Sequence, residues 1–139
     1  MQTFGPLILF ISCLFLCSCG PRNLDDYAEE GEGIVRSLIQ DLKIIHTREQ
    51  LLAAASELQR QFEKLGAVMV AAEDFASAHP EADRGISQRF NHDLSDQLRV
   101  ELNRLYRLEG GRQIIEKSQE KALFQLDACK RKQATSLKK

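Results

Sequence analysis

The chain lacks tryptophan, has few helix-breaking residues and carries almost no excess of charge. Its 139 residues include three prolines, and 19 lysines and arginines nearly balance 20 aspartates and glutamates. A formal net charge of −1 argues against a nucleic-acid-binding protein, because such proteins show a basic patch or stripe. Leucine, alanine, glutamine and charged residues dominate, so the composition favours helix over strand.

Long apolar runs are also lacking, with one exception at the N-terminus. The run extends from Phe4 to Leu16, and the first charged side chain is Arg22. A membrane-spanning helix needs about 20 apolar residues, and Pro6 shortens what could be helical. The length instead fits the apolar region of a secretory signal, about 7–15 residues. The sequence therefore predicts a targeting segment followed by one folded domain.

The apolar run ends in Leu16-Cys17-Ser18-Cys19, which resembles the lipobox of bacterial lipoproteins. Leu16 stands three residues before Cys19, and Ser18 supplies the small residue before the cleavage point. The resemblance implies a signal peptide of residues 1–18, cut between Ser18 and Cys19. It also implies that Cys19 carries S-linked diacylglycerol and an N-acyl chain. A non-lipidated signal cut near Ser18 and an uncleaved signal anchor are the alternatives.

The same resemblance implies a place for the protein. Two or more acyl chains anchor a protein stably to a membrane, here through residues 19–23 as a lipidated tether. Gly20 follows the lipidated cysteine, whereas aspartate at that position retains lipoproteins in the inner membrane of enteric bacteria. We therefore expect the outer membrane of a bacterial envelope rather than the inner one, with the domain facing the periplasm or the surface.

Cysteine is scarce beyond the tether. With Cys13 and Cys17 in the signal and Cys19 lipidated, Cys129 is the remaining thiol. No disulfide could then form within the mature chain, so packing must supply its stability. We predict that Cys129 is a small, buried apolar residue on the last helix. An intermolecular disulfide is the alternative.

Capping and breaking signals divide the rest of the chain into helices. Asn23 or Asp25 could cap the first, and Thr47-Arg48-Glu49-Gln50 is a capping-box pattern that starts the second. Pro80 ends the second, because the residue before proline is disfavoured in helix. We predict a third helix beginning between Glu81 and Ser87, a break at Gly110-Gly111, and a fourth helix from about Arg112 to Lys130.

Apolar residues recur at helical spacing in each segment. The second helix has a heptad seam, stepping alternately by four and three, which is typical of shallow helix packing: Leu51, Ala55, Leu58, Phe62, Leu65, Met69, Ala72 and Ala76. Gly66 within it is predicted to be a close-packing point. The predicted fold is an all-α, antiparallel bundle of three to four helices over residues 24–132, with a basic polar tail at 133–139.

The sequence holds little that indicates chemistry. It has no glycine-rich phosphate loop, His-Glu-x-x-His, Cys-x-x-Cys or nucleophile elbow, so we expect no cofactor and no catalysis. The best metal-like grouping is His79, Asp83, His92 and Asp96, of which His92 and Asp96 would share a helix face. We expect solvated polar residues there. A small envelope hydrolase or metal-dependent enzyme using His79, His92 and nearby carboxylates is the alternative.

Charge is distributed unevenly along the mature chain. Acidic residues cluster next to the tether, at Asp25, Asp26, Glu29, Glu30 and Glu32, whereas Lys130, Arg131, Lys132, Lys138 and Lys139 are basic. We expect the acidic cluster near the membrane and the basic one at the far end of the domain. We expect both clusters to be solvated; contact of the basic end with an envelope protein or an anionic cell-wall polymer is the alternative. The sequence thus favours a membrane-anchored structural or protein-interaction module.

Overall fold

Four helices make up the part of the chain that the computed structural model describes, residues 23–81 and 92–136. In chain order they are α1, Leu24–Lys43; α2, Arg48–Ala78; α3, His92–Leu105; and α4, Gly111–Ser136. No strand occurs in these residues, which confirms the predicted all-α bundle. The predicted signal peptide, Ser18, Cys19, Asp83 and the predicted start of the third helix lie outside the described residues.

Capping boxes begin the first two helices. The Asp26 backbone N–H donates to Asn23 Oδ1 at 2.9 Å, and the Asn23 N–H donates back to the Asp26 carboxylate at 3.2 Å. Thr47 and Gln50 make the same reciprocal pair, with both bonds at 3.2 Å. The prediction for Thr47 is confirmed, and of the two candidate caps for α1 the structure uses Asn23. Each box satisfies backbone N–H groups that a helix start leaves without partners.

α1 and α2 form an antiparallel hairpin. Early residues of α1 meet late residues of α2: a Cβ at Gly31 would lie 3.8 Å from Val68, and the Tyr27 and Phe75 rings are 5.8 Å apart. Asp41, near the end of α1, meets Gln61 in the middle of α2. The four-residue turn at 44–47 is typical of antiparallel neighbouring helices.

The most extensive helix interface, between α2 and α4, is parallel. Ser118 donates to the Ala55 carbonyl at 3.3 Å, Lys121 Nζ lies 3.4 Å from Glu63, and Gln133 donates to Glu73 at 3.3 Å. Residue numbers therefore increase in the same direction along the two helices. α3 packs on α1 and has little contact with α4. Consecutive helices alternate in direction, as in an up-down-up-down bundle.

The two ends of the bundle contain different helix termini. At the loop pole, residues 44–47 and 106–110, α1 and α3 finish and α2 and α4 begin. At the terminal pole, residues 23–30, 73–81 and 130–136, α1 begins and α2 and α4 finish. The expectation that the acidic and basic clusters lie at opposite ends is wrong for Lys130, Arg131 and Lys132, while Lys138 and Lys139 lie outside the described residues. Because α2 and α4 are parallel, the last turns of α4 return to the end where α1 starts.

The hydrophobic core lies toward the loop pole. Its buried cluster comprises Leu38, Leu42, Ile45, Leu51, Leu58, Phe62, Leu105, Ile115 and Ala122. The seam prediction is confirmed for Leu51, Leu58 and Phe62. It is wrong for Met69, which is 42% exposed. Met69 lies two turns beyond Phe62, where the buried cluster has ended.

Two glycines mark close approach and a turn. A Cβ at Gly66 would lie 3.3 Å from Cα and Cβ of Ala122, which confirms the predicted packing point between α2 and α4. Gly110 has a φ of 67°, a left-handed conformation that glycine adopts without steric cost. It reverses the chain before α4, and its ideal Cβ position is 3.6 Å from Arg48 Nε.

The last helix is longer than predicted. α4 continues to Ser136, six residues past the expected end near Lys130, so residues 133–136 of the predicted tail are helical. Residues 137–139 lie outside the described part. The extension is in contact with α2, because the Gln133 side chain bonds to Glu73 at 3.3 Å. The hydroxyl of Thr135 also donates to the Arg131 carbonyl, at 2.9 Å.

Candidate functional site

The predicted metal-like residues do not form one group in the described structure. His79 Nδ1 lies 3.1 Å from Glu81 Oε1, and its ring lies 4.4 Å from that of Phe75. Asp96 instead accepts a hydrogen bond from Arg99 at 3.0 Å, and His92 is an exposed residue at the start of α3. Within residues 23–81 and 92–136, no three His, Cys, Asp or Glu side chains are placed to hold a metal ion.

The His79–Glu81 pair is an exposed contact at the terminal pole. The Glu81 backbone N–H and then the His79 side chain lower the pKa of the Glu81 carboxyl below its ordinary value. The carboxylate is therefore ionised at neutral pH, and cannot serve there as a proton donor. The His79 ring contacts the Phe75 ring, which in turn contacts Tyr27. Tyr27, Phe75 and His79 are termed the aromatic trio below.

A groove of about 420 Å³ runs between α2 and α4 near the terminal pole. Small and apolar side chains line most of it, and the lining residues are Ala67, Val70, Ala71, Asp74, Phe124, Gln125, Ala128, Cys129 and Lys132. No histidine is among them. The groove therefore offers apolar surface with one acidic and one basic side chain, and no nucleophile paired with a base.

Cys129 forms part of the groove wall. It is a free thiol with 8% of its surface exposed, which confirms its prediction as a small buried residue on the last helix. The side-chain amide nitrogen of Gln133, one turn later, lies 3.8 Å from its sulfur. Burial of this kind favours a packing role for the thiol over attack on another molecule.

Several large apolar side chains remain exposed. They are Ile44, Leu52, Met69, Val100, Leu123 and Phe124, with Ile44 at 70% and Phe124 at 69%. Phe124 stands at the groove, and Ile44 projects from the loop pole. Sequence reasoning missed both features, although Leu123 and Phe124 do not fit the seam of the fourth helix and are the signal that could have indicated them. Exposed apolar residues next to a groove are typical of binding surfaces.

A buried amide joins two carboxylates between α1 and α2. Gln61, 6% exposed, donates through Nε2 to Asp41 and, at 3.2 Å, to Glu57. Arg60 also holds Glu57, with its two nitrogens at 2.9 and 2.6 Å. Arg60 and then Gln61 lower the pKa of Glu57. Glu57 therefore stays ionised, and the bond from Gln61 to Asp41 ties α2 to α1.

Arg104 of α3 closes the end of α1. Its guanidinium donates to the carbonyls of Ile45 and Leu42, both at 2.7 Å, and its Nε donates to Glu101 at 2.9 Å. The last carbonyls of a helix lack intrahelical donors, and cations near them are favourable. Arg104 therefore acts in structure, and its charge is used within the fold.

The chain matches no protein-family model, no curated protein and no solved structure. Among the described helices, none combines the length and the apolar composition needed to cross a membrane.

Proposed function

We propose that the chain is a bacterial envelope lipoprotein, anchored through lipid on Cys19, whose helical bundle acts as a structural or protein-interaction module. The observation that carries the proposal is the sequence Leu16-Cys17-Ser18-Cys19 at the end of a charge-free apolar run. The module binds and does no chemistry. Its partner is an envelope protein or an anionic cell-wall polymer, and its membrane is the outer one.

The organisation of the bundle supports this proposal. Among the described residues, the buried cluster lies between Leu38 and Ala122, in the helices that follow the tether. An anchor at Cys19 is compatible with such a domain. The surface adds an apolar groove and the exposed Phe124, which suit recognition of another molecule.

Metabolic labelling with an alkyne palmitate tests the anchor. We expect the wild-type protein to take up label and Cys19→Ala to accumulate as an unlabelled precursor. Cys17→Ala is the matched control, since it removes a thiol two residues away at a lipobox position that tolerates variation. Cys129→Ala controls for label on the thiol of the folded domain. Both control variants should label like the wild type.

The chemistry of the label adds a second criterion. The label lies in acyl chains that are joined by an amide to the N-terminal cysteine and by oxygen esters to its glycerol, and both links resist neutral hydroxylamine. A thioester on an ordinary cysteine is cleaved by it. We expect the label to persist after hydroxylamine. Equal labelling of Cys19→Ala, or complete loss of label in hydroxylamine, would contradict the proposal. Density-gradient separation of membranes would then locate the labelled protein in the outer or the inner membrane.

A further inference from the structure

The terminal pole gathers features that suit a membrane surface. Lys130, Arg131 and Lys132 are exposed on the last turns of α4, which end at this pole. The aromatic trio lies at the same pole, with tyrosine and histidine rings partly accessible. Aromatic rings with a polar atom and long cationic side chains are both enriched where protein meets lipid headgroups.

The short segment between Cys19 and Asn23 limits the distance between the terminal pole and a lipid anchor on Cys19. Four residue steps separate Cys19 from Asn23, the cap of α1. Fully extended, they span at most about 14 Å. The loop pole is much farther away, because α2 has 31 residues and a helix rises 1.5 Å per residue, which makes about 46 Å.

We propose that the terminal pole lies on the phospholipid headgroups of the membrane, with the basic end of α4 against the lipid phosphates and the loop pole pointing away. This orientation rests on the proposed lipid anchor at Cys19. It goes beyond that anchor by assigning which surface of the bundle faces lipid. It also leaves the loop pole, with the exposed Ile44, directed away from the membrane.

The distribution of charge at the pole sets the direction of tilt. α1 contacts α2 at Val68 and Phe75, whereas α4 contacts it at Glu73 and along the groove by Val70. The acidic start of α1 and the basic end of α4 therefore flank different faces of α2. Anionic phosphates attract one edge and repel the other, so the bundle leans toward its α4 edge.

The absence of tryptophan and the placement of the two tyrosines provide a direct test. Tyr27 lies at the terminal pole and Tyr106 at the loop pole, so Tyr27→Trp and Tyr106→Trp each introduce a unique fluorophore at a known end. The purified protein, with lipid on Cys19 verified by mass, is reconstituted into phosphatidylcholine vesicles that contain a lipid with a nitroxide on its headgroup. Phe75→Trp is a second probe at the terminal pole, should Tyr27→Trp disturb folding.

We expect strong quenching for Tyr27→Trp and Phe75→Trp, and emission close to that without nitroxide for Tyr106→Trp. Equal quenching at both poles, or stronger quenching for Tyr106→Trp, would overturn the orientation while the lipid anchor stood. A mass without lipid on Cys19 would overturn the proposed function and this inference together. The two failures are therefore distinguishable.

The contact between α4 and phosphate is tested with anionic vesicles. Phosphatidylglycerol should increase the quenching of Tyr27→Trp, and Lys130→Gln with Lys132→Gln should remove that increase. Arg112→Gln with Lys117→Gln is the matched control, with the same change of charge on the same helix toward the loop pole, and should retain it. If the Lys130 and Lys132 variant keeps the increase as the control variant does, the basic end of α4 does not meet lipid.

Discussion

At the scale of single residues, Phe62 and Met69 are two positions of the heptad seam of α2 that differ in burial. Phe62 is 6% exposed within the core cluster, whereas Met69 is 42% exposed. We expect Phe62→Ala to cost about 3–5 kcal/mol of unfolding free energy, a large share of the roughly 5–15 kcal/mol of a typical domain. Met69→Ala should cost less than about 1 kcal/mol. Urea denaturation followed by circular dichroism measures both, and equal losses would contradict the described core.

Gly66 and Gly33 make a second comparison between single positions. Within a helix, replacing glycine by alanine stabilises by about 0.5–1 kcal/mol where the Cβ has space. A Cβ at Gly33 meets nothing within 4 Å, while one at Gly66 would be 3.3 Å from the backbone of Ala122. We expect Gly33→Ala to raise the midpoint of thermal unfolding and Gly66→Ala not to raise it. A clear gain for Gly66→Ala would show that α2 and α4 are less closely packed.

Features that depend on a few neighbouring residues could be predicted from the sequence. The Thr47–Gln50 capping box and the burial of Leu51 and Leu58 follow from spacing alone. The exposure of Met69 could not be predicted, because it depends on where packing from other helices ends. The groove beside Phe124 was missed for the same reason, since its two walls come from residues at least 50 positions apart in the chain.

At the scale of helices, Arg104 joins α3 to the end of α1 with two hydrogen bonds to backbone carbonyls, both at 2.7 Å. Hydrogen bonds to charged groups contribute about 1.5–3 kcal/mol each, so Arg104→Ala should lower the unfolding free energy by at least about 1.5 kcal/mol. Arg104→Lys should recover only part of this loss, because an ammonium lacks the planar fork. Arg99→Ala removes an exposed arginine of the same helix that pairs with Asp96, and should change stability little.

Chemical denaturation of the three variants and the wild type measures these differences. Similar stability of Arg104→Ala and Arg99→Ala would mean that the contact with α1 contributes nothing. Sequence reasoning could not identify this contact, since 59 residues separate Arg104 from Ile45. The pattern of charges on a helix predicts which residues face solvent. In that pattern Arg104 resembles its exposed neighbours, and only its tertiary contact with the end of α1 distinguishes it.

At the scale of the whole molecule, the class of fold could be predicted and the arrangement of helices could not. Amphipathic spacing and capping indicate how many helices form, and a short turn makes α1 and α2 antiparallel. Nothing local specifies that α4 packs on α2 in parallel, with Ser118 against Ala55 and Gln133 against Glu73. That single pairing overturns the predicted separation of acidic and basic ends. It places both at the pole that the proposed anchor holds to the membrane.

The stability of the bundle in acid depends on the partners of its surface carboxylates. One of these carboxylates, that of Glu63 on α2, pairs with Lys121 on α4. The Gln59 side chain and then Lys121 lower the pKa of Glu63, and Arg60 and Gln61 lower that of Glu57, both from an ordinary value of 4.5. A carboxyl whose pKa is lower in the folded state stabilises the fold above its unfolded pKa, and this stabilisation is lost as pH falls through the folded pKa. We therefore expect the unfolding free energy to fall as pH drops below about 4.5.

Glu63→Gln should make that decline shallower, because its side chain takes up no proton in this range. Gln59→Ala, which removes the first partner of Glu63 and keeps its carboxyl, should produce a smaller change in the same direction. Thermal unfolding midpoints between pH 7 and pH 3 measure both effects. The unfolding midpoints of Glu63→Gln and wild type could instead decline equally over the whole pH range. That result would show that the 3.4 Å contact between Glu63 and Lys121 does not hold α2 to α4 in solution.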